Sequence, residues 1–337
     1  MPNALLMNIK QKFVFLLLLV ASQVIHAQYT DVINSNRPGV SQGAFAVGPN
    51  VIQLEGGPYY IKEKHSLLNN EVSGFAMDFA ARYGLLFEPL EISLIGRYQN
   101  DKFTDNRSAI PLEDKRSNFR NLTIGAKYMI YDPYRNAEED KPNLYSWKAN
   151  HTFKWKYLIP AVAIYAGANF DTKNNPYTAP GVEGFSPKAA LISQNNFSGG
   201  WVFVINLVMD RIGTDHSEFQ YIMTLTHSFN PQWSLFGETQ GIKNDFYADN
   251  LFRFGGAYLF GDNFQIDAAL TFNAKDTPSV LNIGIGASYR FDFHEDTIIE
   301  DNGTSAKDEA KRKGRGKKGK KTMDFDNIND GTNNGSN

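Results

Sequence analysis

From Val51 onward the chain alternates apolar and polar residues in block after block. Residues 281–293 place Leu281, Ile283, Ile285, Ala287, Tyr289, Phe291 and Phe293 on one parity and Asn282, Gly284, Gly286, Ser288, Arg290 and Asp292 on the other. Residues 75–85 set Phe75, Met77, Phe79, Ala81, Tyr83 and Leu85 against Ala76, Asp78, Ala80, Arg82 and Gly84. Successive side chains of a strand point to opposite faces, so each block reads as a strand with one apolar and one polar face. A soluble sandwich would alternate in the same way. Two features favour a membrane instead. Small residues share the polar parity with charges, as in a crowded, wet interior. Aromatic residues such as Tyr83, Tyr131, Trp233, Tyr258, Phe260 and Phe291 recur at block ends, where interfacial girdles sit. Lipid cannot hydrate an open sheet edge, so such strands must close on themselves. The expected fold is therefore all-β, a transmembrane antiparallel β-barrel.

Counting blocks gives 51–62, 74–86, 90–100, 119–131, 154–170, 185–194, 199–210, 218–229, 232–242, 250–260, 263–274 and 280–293, about 12 strands. An even number suits a single-chain bacterial barrel. Tight turns then fall on one side and longer loops, at 63–73, 101–118, 171–184, 211–217, 243–249 and 275–279, on the other. Short turns belong to the periplasm, which puts both termini there. The long charged connection 132–153 is the exception on that side.

The ends differ in kind from the barrel. Lys10 and Lys12, an apolar run from Phe13 to Ala21 and a small residue at Ala27 describe a secretory signal peptide over 1–27. Residues 28–50 precede the first strand as an N-terminal periplasmic or plug segment, 51–293 form the barrel, and 294–337 form a charged tail. Its composition, with few apolar residues, is that of a disordered segment. Within it 311–321 carries eight positive charges in eleven residues. That run suits contact with anionic lipid headgroups or peptidoglycan.

Composition closes other routes. The chain has 337 residues, no cysteine, 13% aromatics and a formal charge of −2, with a mean hydropathy of −0.39. Without cysteine there is no disulfide scaffold, no Cys-based zinc site and no Cys nucleophile. The charge balance gives no footprint for nucleic acid. The histidines stand at no ligand spacing, and no phosphate loop, nucleophile elbow or zincin motif occurs. We expect no metal, no cofactor, no catalytic residue and no enzyme.

The mature N-terminal region reads Asn36-Arg37-Pro38-Gly39-Val40-Ser41-Gln42, then Gln53-Leu54-Glu55-Gly56-Gly57. Together with Gly255-Gly256-Ala257-Tyr258-Leu259-Phe260-Gly261-Asp262 and Gly284-Ile285-Gly286-Ala287-Ser288-Tyr289, this resembles the MetA-pathway phenol-degradation family of outer-membrane "transporter" proteins. Position 36 is Asn where that family usually carries Asp. The resemblance implies passage of small, hydrophobic or aromatic compounds through the outer membrane of a Gram-negative-type bacterium.

The inward parity carries the candidate functional residues. Glu55, Asp78, Arg82, Glu91, Arg97, Lys127, Glu238, Arg253, Asp267, Lys275, Arg290 and Asp292 should face the lumen, six acids and six bases, a balance that argues against strong ion selectivity. Arg37, Pro38 and Gly39 form a turn in the plug segment. A buried Arg37 needs a carboxylate, and Glu55 or Asp78 is expected to supply it. Two functions fit: a passive channel for small molecules, with outer-membrane lipid around it, or a non-conducting scaffold that holds envelope partners through its periplasmic loop and basic tail.

Overall fold

The alternating blocks pair as their parity requires, because each strand must keep one face in lipid and one in the polar interior. The computed structural model describes residues 32–134 and 158–294. Its strands are β1 (Val51–His65), β2 (Asn70–Gly84), β3 (Leu90–Asp105), β4 (Leu112–Tyr131), β5 (Ala161–Asp171) and β6 (Gly184–Phe197). They continue as β7 (Trp201–Asp210), β8 (Glu218–Ser228), β9 (Trp233–Lys243), β10 (Ala248–Phe260), β11 (Phe264–Asn273) and β12 (Ser279–Asp292). Each strand pairs antiparallel with its sequence neighbours, and β1 closes on β12 from Val51↔Asp292 to Lys64↔Ser279. The result is a closed 12-stranded barrel, the architecture expected from the alternation. Among the described residues no helix is long and apolar enough to cross a membrane.

The rim that holds Val51 and Asp292 is called the near rim, and the opposite one the far rim. The near rim is turned by 85–89, 198–200, 229–232 and 261–263, apart from the β4–β5 connection. Gly199 and Gly200, with φ of 78° and 77°, supply the left-handed backbone of the turn 198–200. Outside, rings of the near rim touch in series across four strands: Trp233–Tyr258, Tyr258–Phe260, Phe260–Phe264, Phe264–Tyr289 and Tyr289–Phe291. Tyr60–Phe75 and Phe170–Phe185 do the same toward the far rim. Between these girdles Leu94, Ile124, Ile164, Leu207, Leu225 and Ile285 lie exposed on the outer face, the apolar band of a transmembrane barrel.

The element limits depart from the expected ones at the far rim. The segments 63–73 and 101–118 are mostly strand, leaving connections of only 66–69 and 106–111. Pairs such as Lys64↔Glu71 and Lys102↔Lys115 continue the hydrogen-bond ladder with polar side chains on both faces. Beyond the lipid both faces meet water, so the alternation stops while the pairing does not. The fifth strand begins at Ala161 rather than 154. Leu158 and Ile159 precede Pro160, which has no N–H for a ladder, and 154–157 lie outside the described residues. The signal segment 1–27, most of the 132–153 connection and the tail 295–337 also lie outside them.

Candidate functional site: the barrel interior and its N-terminal segment

Residues 32–50 lie inside the barrel and form no strand. A segment without its own ladder must find partners for its backbone N–H and C=O groups elsewhere, and the inward side chains of the wall provide them. Ile33 N donates to Asp262 O at the β10–β11 turn (2.8 Å). Ser35 meets Ser288 of β12, hydroxyl to hydroxyl (2.7 Å). Asn36 N donates to Glu55 of β1 (3.3 Å). Val40 N and Ser41 N both donate to Glu238 of β9. Gln42 N donates to Asn206 Oδ1 of β7, whose Nδ2 donates back to Gln42 O. Ala44 N donates to Gln194 of β6 and Val47 N to Glu91 of β3. The segment therefore travels round the inner wall before it enters β1. Gly43 N, donating to Asn36 Oδ1 (3.0 Å), pinches its middle across the lumen.

Beneath these contacts lies a buried ionic network. Arg82 of β2 donates to both oxygens of Glu91 (2.9 Å each), to Glu55 (3.0 Å) and to Asn34 O (2.7 Å). Lys127 of β4 reaches Glu91 (3.3 Å) and donates to Gly43 O and Phe45 O (2.9 Å each). On the opposite wall Glu238 accepts from Arg253 (2.7 Å) and from Thr224 (2.7 Å) as well as from the segment. A buried charge is tolerable when it is paired and its remaining lone pairs are bonded, and each of these meets that condition. One apolar patch interrupts the polar wall. Ala44 packs into Met129, Ala161, Ala163, Tyr165 and Ile192, with Phe45 and Tyr134 against it.

Arg37 is held differently. Its Nε and Nη2 donate to the two oxygens of Asp267 of β11 (3.1 and 2.9 Å), not to Glu55 or Asp78 as the sequence suggested. Those two acids already belong to wall arginines, Glu55 to Arg82 and Asp78 to Arg97 (2.7 Å). The guanidinium lies on Gly57 and Gly286, where an added β-carbon would collide with Nη2. The inward glycines of β1 and β12 thus make room for a cation. Pro38 follows through a cis peptide bond, and Gly39 lies so close to Glu238 that a side chain there would strike its carboxylate.

Of the other expected lumen residues, Arg290 is buried and Asp78 and Arg97 are half-buried further toward the far rim. Asp292, bonded to Arg290 (3.0 Å), sits exposed at the near rim. Lys275 lies beyond the end of its strand. β11 ends at Asn273, and Lys275 lies exposed in the following loop against the Tyr247 ring. Residues not singled out in the sequence also matter. Gln194, Asn206, Thr224 and Ser288 receive the segment, and Asp101–Arg116, Asp171–Arg211 and Lys188–Asp210 pair nearer the far rim. Their only sequence signal is a polar side chain on the inward parity.

On the far side of the segment the lumen holds a cavity of about 230 Å³. Pro38, Gly39 and Val40 border it from the segment, and Ile61, Leu251 and Val280 contribute apolar wall. Among the described residues no group of three or more His, Asp or Glu could hold a metal ion.

The family described as "Putative MetA-pathway of phenol degradation" matches residues 35–291, from before Arg37 through all but the last residue of β12. The chain belongs to this family. The COG4313 outer membrane channel from Pseudomonas putida F1 shares this fold, with a TM-score of 0.50 at 10% identity, over 77% of this chain and 100% of that one. The translocator domain of autotransporter NalP from Neisseria meningitidis gives a TM-score of 0.42 at 9% identity, over 84% and 96%. The CymD monoaromatic hydrocarbon channel gives 0.37 at 10% identity, over 73% and 90%. Identities this low speak of fold alone. No curated protein matches the sequence. With its apolar band between aromatic girdles, this member of the family is an outer-membrane-type barrel.

Proposed function

We propose that the protein is an outer-membrane channel for small apolar or aromatic molecules, a conduit rather than an enzyme, narrowed from within by residues 32–50. Short turns are characteristic of the periplasmic side, so the near rim is assigned to the periplasm, and residues 1–27 are assigned as the export signal. The observation that carries the reading is how the segment is held. The wall carboxylates that receive its backbone keep partners of their own: Glu91 has Arg82 and Lys127, Glu55 has Arg82, and Glu238 has Arg253. If the segment withdraws, those charges stay paired. Asp267 alone of these carboxylates loses its cation, which makes Arg37–Asp267 the latch. A wall built to hold a chain and also to survive its departure suits an adjustable constriction. The basic run 311–321 is assigned to contact with anionic headgroups or peptidoglycan. A scaffold without conductance finds no support in the described residues.

Planar-bilayer recording tests this. The full chain should give reproducible, small conductance steps, and deletion of 32–48 should enlarge them. Silence from both proteins, each correctly folded, would overturn the channel. Unchanged step size after deletion would overturn the constriction.

A further inference from the structure

The cavity beyond the segment has a composition that an apolar solute does not explain. Four arginines line it, Arg37, Arg97, Arg120 and Arg253, against two carboxylates, Asp78 and Glu63. The acids that neutralise Arg37 and Arg253 are Asp267 and Glu238, whose side chains are fully buried behind them. The face turned to the cavity is therefore cationic. Donor capacity also remains on it. Arg37 and Arg97 each bond through Nε and Nη2, leaving Nη1, and Arg120 bonds through Nη1, leaving Nη2. Two further polar atoms are buried with no hydrogen-bond partner among the described residues: Tyr59 Oη and Asn282 Oδ1. The Tyr59 ring is held under the Arg97 guanidinium at 5.2 Å, so its hydroxyl is presented at a set position. Unsatisfied buried groups of this kind are costly unless something visits them.

We propose that this cavity is a binding station for an organic anion with an apolar body, of the class of one-ring aromatic carboxylates. The proposal deepens the channel reading, on which it rests for the route of entry. A carboxylate takes paired N–H donors from guanidinium groups. It also accepts the Tyr59 O–H. Ile61, Leu251 and Val280 then cover the ring. Size agrees: a cavity of about 150 Å³ accommodates benzene, so 230 Å³ leaves room for a ring and a carboxylate. A neutral hydrocarbon would leave these donors unmet, and an organic cation would meet four guanidinium groups against two carboxylates.

Calorimetric titration of the folded full-length protein at low salt tests the proposal, with sodium benzoate, benzyl alcohol and benzylamine as probes. Benzoate should bind saturably at one site, about tenfold or more tighter than benzyl alcohol, and benzylamine should not bind. Tyr59→Phe and Arg120→Gln should each weaken benzoate by about tenfold. Tyr59 Oη has no partner to lose and Arg120 is half-exposed, so heat-modifiable gel migration should be unchanged in both. Absence of saturable benzoate binding, equal binding of benzyl alcohol, or indifference of both variants would each overturn the station. Conductance without benzoate binding sinks this proposal and leaves the channel standing. Benzoate binding to a silent barrel does the reverse.

Discussion

Ile285 and Gly286 are consecutive residues of β12 that face different solvents. Ile285 is 63% exposed on the outer wall, between the girdles. Gly286 faces inward under the Arg37 guanidinium. Their substitutions should therefore fail in different ways. Ile285→Arg puts a cation into the lipid band and should cost the barrel about 2–4 kcal/mol, read as earlier unfolding in urea. The nearest atoms that a β-carbon at Gly286 meets belong to the flexible end of Arg37, so Gly286→Val should cost the barrel clearly less than Ile285→Arg. The guanidinium must leave Asp267, however, and the conductance step should grow toward that of the deletion lacking 32–48. Equal loss of stability in the two variants would refute the register. Gly57 is a poorer position for the same test, because a β-carbon there also strikes the backbone of Ile285.

At the scale of elements, the tall side of the barrel needs a cover that the strands do not supply. β4 pairs with β5 only from Thr123 to Tyr131, so its outer half has one unpaired edge. The connection 172–183 folds against that half of β4 and reaches β3. Asn175 Nδ2 donates to Phe119 O (2.7 Å), and the Tyr177 hydroxyl lies between two acceptors, Arg116 O (3.1 Å) and Gln99 O (3.2 Å). Arg116 lies over the Phe103 and Tyr177 rings (5.1 and 5.3 Å) while it binds Asp101 (2.8 Å). Burial, reinforced by the Asp101 carboxylate, holds the Tyr177 phenol above its usual range. A raised value in the folded state means that the protonated hydroxyl helps below about pH 10, the ordinary phenol value. The contribution is lost as pH climbs beyond that. Cleavage of 172–183 by an alkaline-tolerant protease should accordingly accelerate above about pH 10. Tyr177→Phe should already be cleaved faster at neutral pH and show no further step. A native protein equally resistant at both pH values would contradict the edge-cover role.

For the whole molecule, closure depends on β1 meeting β12, and every paired residue of that seam lies between Val51 and Asp292. Truncation after His294 removes no barrel residue, so the shortened chain should keep heat-modifiable migration; its loss would mean that the tail takes part in folding. The strand order, the lipid-facing parity and the short-turn side were all legible in the sequence, because each strand stands between two solvents and records them residue by residue. Even β6, with its weak alternation and Pro187, was recoverable from the need for an even count. The far-rim strand ends were not legible, since water on both faces erases the pattern while pairing such as Asp101↔Arg116 persists. Arg37 could be recognised as a cation in search of a carboxylate, but not matched to Asp267, which is 230 residues away. Nor could Gln194 and Asn206 be recognised as receptors for Ala44 and Gln42. Alternation is a local consequence of which solvent a side chain meets. Which acid lies above which glycine depends on the register of the closed barrel, and that exists only once all twelve strands have joined.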